Sequence, residues 1–259
     1  MHLLDSPLAT RSNVARKAIA YALQFPRALT RLTARPEHFR RAPPVIVNSI
    51  PKSGTHLLLQ IARALPRTRY YGSFLAWASS LDLKKRPQKV IDFHLDRVAP
   101  GEAIGAHLHY ARRTSEKLAS LNALHLMIVR DYEEIVRSEA HYLAHMNRFH
   151  RMAREFRGRS PDECLDLVRN GSPQRPDLWP SFEERTRVYE GWFDDPHVLI
   201  VRYEDFQTDA GRERAVRRVV DAWAARAEDS ASVDLTQCAR QALGALAPER
   251  SHTRSNRER

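Results

Sequence analysis

The chain has 259 residues, 42% of them apolar, only two cysteines, and a formal charge of +11. That length and apolar content suit one domain with its own core. Cys164 and Cys238 exclude a disulfide framework and a paired-cysteine metal site, and no run approaches the roughly 18 apolar residues of a membrane span.

The charge is not spread over the chain. Residues 1–41 carry eight Lys or Arg against Asp5 and Glu37, a net +6, and residues 250–259 carry a net +3. Only +2 of the +11 is left for residues 42–249, so no nucleic acid is expected as partner of the domain. Residues 1–41 read as a basic extension, either solvated and partly disordered or, over residues 13–32, an Arg-rich amphipathic helix broken near Pro26. The second form keeps peripheral membrane contact open. The N-terminus lacks the charged-then-apolar order of a secretory signal and the cysteines are few, so a reducing, cytoplasmic setting is expected.

Pro43-Pro44 marks the start of the domain, residues 42–259. Val45–Ser49 is a short apolar, β-branched run that predicts a buried strand. It ends in Ile50-Pro51-Lys52-Ser53-Gly54-Thr55, and residues 56–65 predict a helix. Strand, tight turn and helix N-terminus form a geometry that holds phosphate, because unpaired backbone N–H groups converge there and the helix dipole favours an anion. Gly54 lets the backbone come close, Lys52 adds a point charge, and Ser53 and Thr55 add hydroxyl donors. The NTPase loop has Gly, four residues, then Gly-Lys-Ser/Thr. Here the lysine precedes the glycine, which weakens an ATP-dependent kinase reading.

Three more apolar segments predict strands: residues 103–106, residues 124–130 and Val198–Arg202. Strands alternating with helical stretches imply an α/β fold in three layers, a central parallel sheet with flanking helices, and ligands at the carboxyl ends of the strands. His107 follows the second of the four predicted strands, Arg130 ends the third, and Tyr203 follows the fourth. Arg130 and Ser138, two helical turns apart, can meet one anion as a bidentate guanidinium plus a hydroxyl. Residues 147–180, rich in Arg, His and Pro, mix a helix with a long loop. Glu204 and Asp205 share no metal-ligand spacing with other residues, and no metal is expected.

Pro51-Lys52-Ser53-Gly54-Thr55 after an apolar strand, Arg130 followed eight residues on by Ser138, and Tyr203-Glu204-Asp205 after a fourth strand together resemble the sulfotransferases that use 3′-phosphoadenosine 5′-phosphosulfate (PAPS). The resemblance covers most of residues 44–205 and implies a P-loop-like nucleotide-binding fold. It implies that Lys52, Ser53, Gly54, Thr55 and His56 bind the 5′-phosphosulfate, that Arg130 and Ser138 bind the 3′-phosphate, and that Tyr203 lies at the adenine. It also implies that His107, matching the histidine of Lys-Thr-His-Leu-Pro, is the general base, with Lys52 as the second catalytic group. His109 competes for the base role, and His56 does so more weakly.

The chain departs from that pattern in four places. Asp131-Tyr132 stands for Asn-Pro or Asp-Pro, Gly105 for a lysine, and Leu57 for a tryptophan that stacks on adenine. The closing Arg-Lys-Gly and Gly-x-Trp segment is replaced by residues 251–259, where Arg254 and Arg257 are the candidate stand-ins. The expected reaction is sulfuryl transfer to a hydroxyl or amine of a glycan, a lipid-linked sugar, or a small alcohol or phenol. Tyr142, His145, Phe149, His150 and Phe156 are the candidates to line an acceptor cleft. An ATP-dependent small-molecule kinase and a non-catalytic PAPS-binding protein are the alternatives.

Overall fold

The β-branched run Val45–Ser49 forms β1, every residue of it buried. Around it stand β2 (Phe74–Ala76), β3 (Ala103–His107), β4 (Leu124–Val129) and β5 (Val198–Arg202), in the order β2-β3-β1-β4-β5 and parallel throughout. The computed structural model describes residues 3–6 and 13–246. The expected C-terminal stand-ins Arg254 and Arg257 lie outside the described residues. Five strands replace the four read from the sequence. The additional one, β2, is a three-residue edge strand with too short an apolar run to register as a pattern.

The helices, in chain order, are α1 (Asn13–Ala22), α2 (Gln24–Leu32), α3 (Pro36–Arg41), α4 (Thr55–Ala64), α5 (Gln88–Leu95), α6 (Arg112–Ser120), α7 (Tyr132–His141), α8 (Ala153–Phe156), α9 (Pro161–Asn170), α10 (Phe182–Arg187), α11 (Asp209–Ala224) and α12 (Leu235–Ala245). Val45, Val47, Leu124, Leu126 and Ile128 pack beneath α4, α11 and α12 on one face of the sheet. Ile46, Ile104, Ala106 and Met127 pack against α5, α6 and Trp192 on the other. That division follows from the period of two in a strand, where alternate residues face opposite sides. The helix after β1 and the helix after β3 lie on opposite faces, so the connections diverge beside β1 and leave a crevice at its carboxyl end.

Several expected boundaries shift by a residue, as the ends of helices and strands fray into the turns that follow them. The helix read over residues 56–65 begins at Thr55 and ends at Ala64. His107 is the last residue of β3 rather than the first after it, and Arg130 comes just after β4 instead of closing it. The break expected near Pro26 falls at Leu23. Residues 13–41 fold into the three helices α1–α3, tied to the domain. Arg27 Nε donates to Glu102 Oε1 at 2.7 Å, and Thr30 Oγ1 and the Tyr71 hydroxyl share a bond at 3.2 Å.

Candidate active site

Between β1 and α4 the chain turns sharply, with Lys52 at φ +74° and Gly54 at φ +105°. A left-handed lysine is strained, and such residues persist where the surroundings over-determine them. Gly54 is required twice over. Its φ excludes most side chains, and a Cβ there would lie 2.6 Å from Tyr203 Cδ2 and 3.2 Å from Ile128 Cδ1. Ser53 N–H donates to the Ile50 carbonyl at 3.2 Å and closes the turn. The Ser53 side chain is fully buried, and its Oγ has no hydrogen-bond partner among the described residues. A buried hydroxyl without a partner is costly, and an anion seated on the turn would satisfy it. This orphaned donor, next to a lysine and a helix N-terminus, fits the 5′-phosphate end of the nucleotide that the sequence pattern implies.

The second candidate anion site lies against the first. Arg130, only 11% exposed in its side chain, donates from Nη1 to the Lys52 carbonyl at 3.3 Å and from Nη2 to Glu134 Oε2 at 2.9 Å. Its Nε is buried with no hydrogen-bond partner among the described residues, and its guanidinium sits 4.3 Å from the centre of the Tyr203 ring. Tyr203 therefore packs against both Gly54 and Arg130 and forms the floor shared by the two sites. Without the usual proline, α7 is started by Asp131, whose carboxylate accepts from Glu134 N–H. Glu204 accepts from the Asp131 N–H at 2.8 Å and ties the segment after β5 to the start of α7. Ser138 lies buried two turns along α7.

His107 is half-buried, with Nδ1 3.0 Å from the Ser49 carbonyl and 3.2 Å from Ser49 Oγ. A carbonyl can only accept, so Nδ1 carries the proton and Nε2 keeps its lone pair. Ser49 Oγ also shares a hydrogen bond with Thr55 Oγ1, which links the histidine to the first turn of α4. Burial first and the Lys52 charge second push the pKa of His107 down to about 4, against the opposing pull of the Ser49 carbonyl. The imidazole is neutral at neutral pH. Phe74 meets its ring edge-on at 4.9 Å, and Gly105 makes room for that phenyl, since a Cβ there would lie 2.8 Å from Phe74 Cδ2.

His109 is placed differently. The strand stops at His107, so alternation does not carry on to His109, whose ring stacks on Trp77 at 5.5 Å and meets Tyr189 edge-on. His56 is exposed near the start of α4. Leu57, which stands where the family carries an adenine-stacking tryptophan, points from α4 into the core. Of the residues considered for an acceptor cleft, Tyr142 reaches the turn, with Lys52 Nζ 3.9 Å from its ring centre. It opens a π-helical stretch, Tyr142–Met146, a feature frequent at functional sites. Phe156 is instead core, and His150 packs edge-on against Trp179.

Ser49, Asn48 and Glu134 were not singled out from the sequence. Asn48 donates to the Leu108 carbonyl and accepts from the Leu108 and Ser49 N–H groups, so it clamps β1 to the end of β3 beside His107. A polar pair closing an otherwise apolar strand, Asn48-Ser49, was the available signal.

Residues 42–221 match the family model described as the sulfotransferase domain. The chain belongs to the sulfotransferase family. Among solved structures, mouse sulfotransferase SULT7A1 complexed with PAP is similar at 19% sequence identity and a TM-score of 0.48, with 81% of this chain and 65% of that chain covered. The present sulfotransferase chain thus spans a little under two thirds of that protein. No curated protein matches it. Among the described residues, no helix of this family member is long and apolar enough to cross a membrane.

Proposed function

We propose that the chain transfers a sulfuryl group from PAPS to an acceptor hydroxyl or amine. The observation that carries this reading is the contact of Arg130 with the Lys52 carbonyl at 3.3 Å, over the shared Tyr203 ring. Two anion sites on adjoining turns suit one adenosine with phosphates at both 3′ and 5′ positions, which ATP lacks. When bound, PAPS supplies the activated sulfuryl group and a stable bisphosphate leaving group.

The chain's own residues then have separate tasks. Lys52, the Ser53 and Thr55 hydroxyls and the N–H groups at the start of α4 neutralise charge on the 5′ side. Arg130 with Ser138 holds the 3′-phosphate, and Tyr203 supports the adenosine. His107 takes the acceptor proton on Nε2, with Nδ1–H anchored by Ser49. No residue of the chain forms a covalent bond to the transferred group, so positioning and charge neutralisation dominate. Carbohydrate or lipid-linked sugar is the first acceptor class, and a small phenol or alcohol the second.

Calorimetric titration with 3′-phosphoadenosine 5′-phosphate (PAP) and with ATP separates sulfotransferase from kinase, and radiolabelled-sulfate transfer over an acceptor panel separates enzyme from binding protein. Strong PAP binding, weak ATP binding and label transfer are expected. Lys52→Ala and His107→Ala should each lower turnover at least about a hundredfold. PAP binding with no transfer to any glycan, phenol or alcohol would reduce the assignment to a non-catalytic binder.

A further inference from the structure

The helices α1 and α2 are docked the wrong way round. An amphipathic helix on a domain normally buries its apolar stripe and turns its polar face to water. Here the side of α2 that meets the domain is polar. Gln24 donates to the Tyr71 carbonyl, Arg27 pairs with buried Glu102, Thr30 bonds with Tyr71, and Arg31 Nε donates to the Asp96 carbonyl at 2.9 Å. None of the α2 residues is buried.

The opposite side is apolar and faces solvent. Val14, Tyr21 and Phe25 are each 78% exposed, Leu29 55% and Leu32 83%, with exposed Ala18, Ala22 and Ala28 between them. Steps of three and four residues put all eight on one stripe. Backbone bonds from Leu23 N–H to Ile19 and from Arg27 N–H to Leu23 carry the helix path through the break, so the stripe runs for about 27 Å. An apolar strip of that size in water calls for an occupant.

Charge identifies it. At the C-terminal end of α2 two clefts open, one of them reaching the stripe at Leu29. One, of about 640 Å³, is lined by Arg31, Arg35, Arg40 and Arg226 against the single acid Glu228, which Arg40 engages. The other, of about 720 Å³, is lined by Arg41, Arg67 and Arg69 with His38 and no acid, although Arg41 also lies 3.9 Å from Asp229. An apolar stripe bordered by arginines matches the boundary between acyl chains and anionic headgroups. A second copy of the chain would bring the arginine clefts of both copies together, and a nucleic acid would leave Phe25 and Leu29 in water. We propose that the α1–α2 face docks on the surface of an anionic lipid bilayer, with Tyr21, Phe25, Leu29 and Leu32 at the acyl boundary and the two arginine clefts on headgroup phosphates.

The helices that carry the stripe lie at the amino ends of the strands, with their polar side against Glu102 and Tyr71 and the stripe facing away. The phosphate turn is about 17 Å away at the carboxyl ends, so docking leaves the site open. The inference does not depend on the transferase reading, and its test uses neither PAPS nor acceptor.

The test is flotation of the full chain with vesicles of phosphatidylcholine mixed with phosphatidylglycerol, and with phosphatidylcholine alone. The chain should float with the mixed vesicles and not with the neutral ones, less so as salt rises. Phe25→Ser with Leu29→Ser should lower partition at least tenfold, roughly as expected for losing two buried apolar side chains, with an unchanged melting temperature. Arg35→Gln with Arg69→Gln should lower it severalfold and flatten the salt dependence. Failure of the wild-type chain to float overturns the inference, as does equal flotation of the Phe25/Leu29 variant. Light scattering that shows a wild-type dimer dissolved by that variant, or vesicle binding replaced by tighter binding to duplex DNA, also overturns it.

Discussion

At His107 three effects outweigh the others that act on its proton. Burial lowers its proton affinity, the Lys52 cation lowers it again, and the Ser49 carbonyl raises it. The Lys52 contribution is removable, because an anion seated on the turn neutralises that charge. Binding PAP should therefore raise the His107 pKa from its value near 4, following the histidine ring resonances by NMR titration. Lys52→Ala should raise it without PAP. A pKa that stays fixed on PAP binding would uncouple His107 from the turn that carries Lys52. Turnover should hold level from pH 8 down to about 5 and fall below that, as the imidazole takes up its proton. The same residues show that a side chain's role depends on its neighbours. His107 and His109 are both pushed down to about 4 by burial, yet only His107 touches Ser49 and feels Lys52, while His109 is enclosed by Trp77 and Tyr189.

Each element contributes an end rather than a middle. β1 supplies Asn48 and Ser49, α4 its first turn, β3 its last residue, and β5 the tyrosine that follows it. Asn48 joins the ends of β1 and β3 through two hydrogen bonds with the Leu108 backbone and accepts a third from its neighbour Ser49, all in a fully buried setting. Asn48→Ala leaves the Leu108 N–H without its acceptor and should cost about 2–3 kcal/mol of stability. It should also lower kcat more than it weakens PAP binding, because it loosens β3 and spares the turn. Gly54→Ala should do the reverse. A left-handed alanine costs about 1–2 kcal/mol, and its methyl displaces Tyr203, so PAP affinity should fall before the acceptor KM changes. Calorimetry with PAP and steady-state kinetics on the two variants distinguish these outcomes.

Across the whole molecule, the N-terminal helices are fastened by a pair that is mostly out of water. Glu102 is fully buried and accepts from Arg27, Ser73 and the Ala99 N–H. Removing one partner of a buried pair strands the other charge, so Arg27→Ala should lower the free energy of unfolding by about 3 kcal/mol, read from urea midpoints at constant slope. Acid should act through buried histidines. His125 is pushed down to about 3 by burial, and His107, His109 and His150 to about 4. Folded, these rings stay neutral, while the unfolded chain takes up protons below about pH 6.5. The unfolded state then binds more protons, so stability is complete above about pH 6.5 and falls as pH drops toward 4. His125, against Trp192, accounts for up to about 1.4 kcal/mol per pH unit of that slope. His125→Leu should flatten the pH dependence of urea unfolding by one proton.

Local pattern carried much of this protein in its sequence. The β-branched runs at Val45–Ser49 and Val198–Arg202, the turn with Lys52 and Gly54, and the order of Lys52, His107, Arg130 and Tyr203 along the chain are properties of neighbouring residues or of their succession, and an α/β fold with ligands at strand ends follows from them. The three-residue β2 escaped because an edge strand of that length has no period to detect. Tertiary structure alone set the His107 ring against Ser49 and the His109 ring against Trp77, laid Tyr203 against Gly54, gave Arg130 a Glu134 partner, and turned the polar face of α2 inward. Apart from the Arg130–Glu134 pair, which needs the strand-to-helix turn set by Asp131, those outcomes depend on groups that meet only once the sheet has brought distant segments together, and a sequence pattern holds no information about such distances.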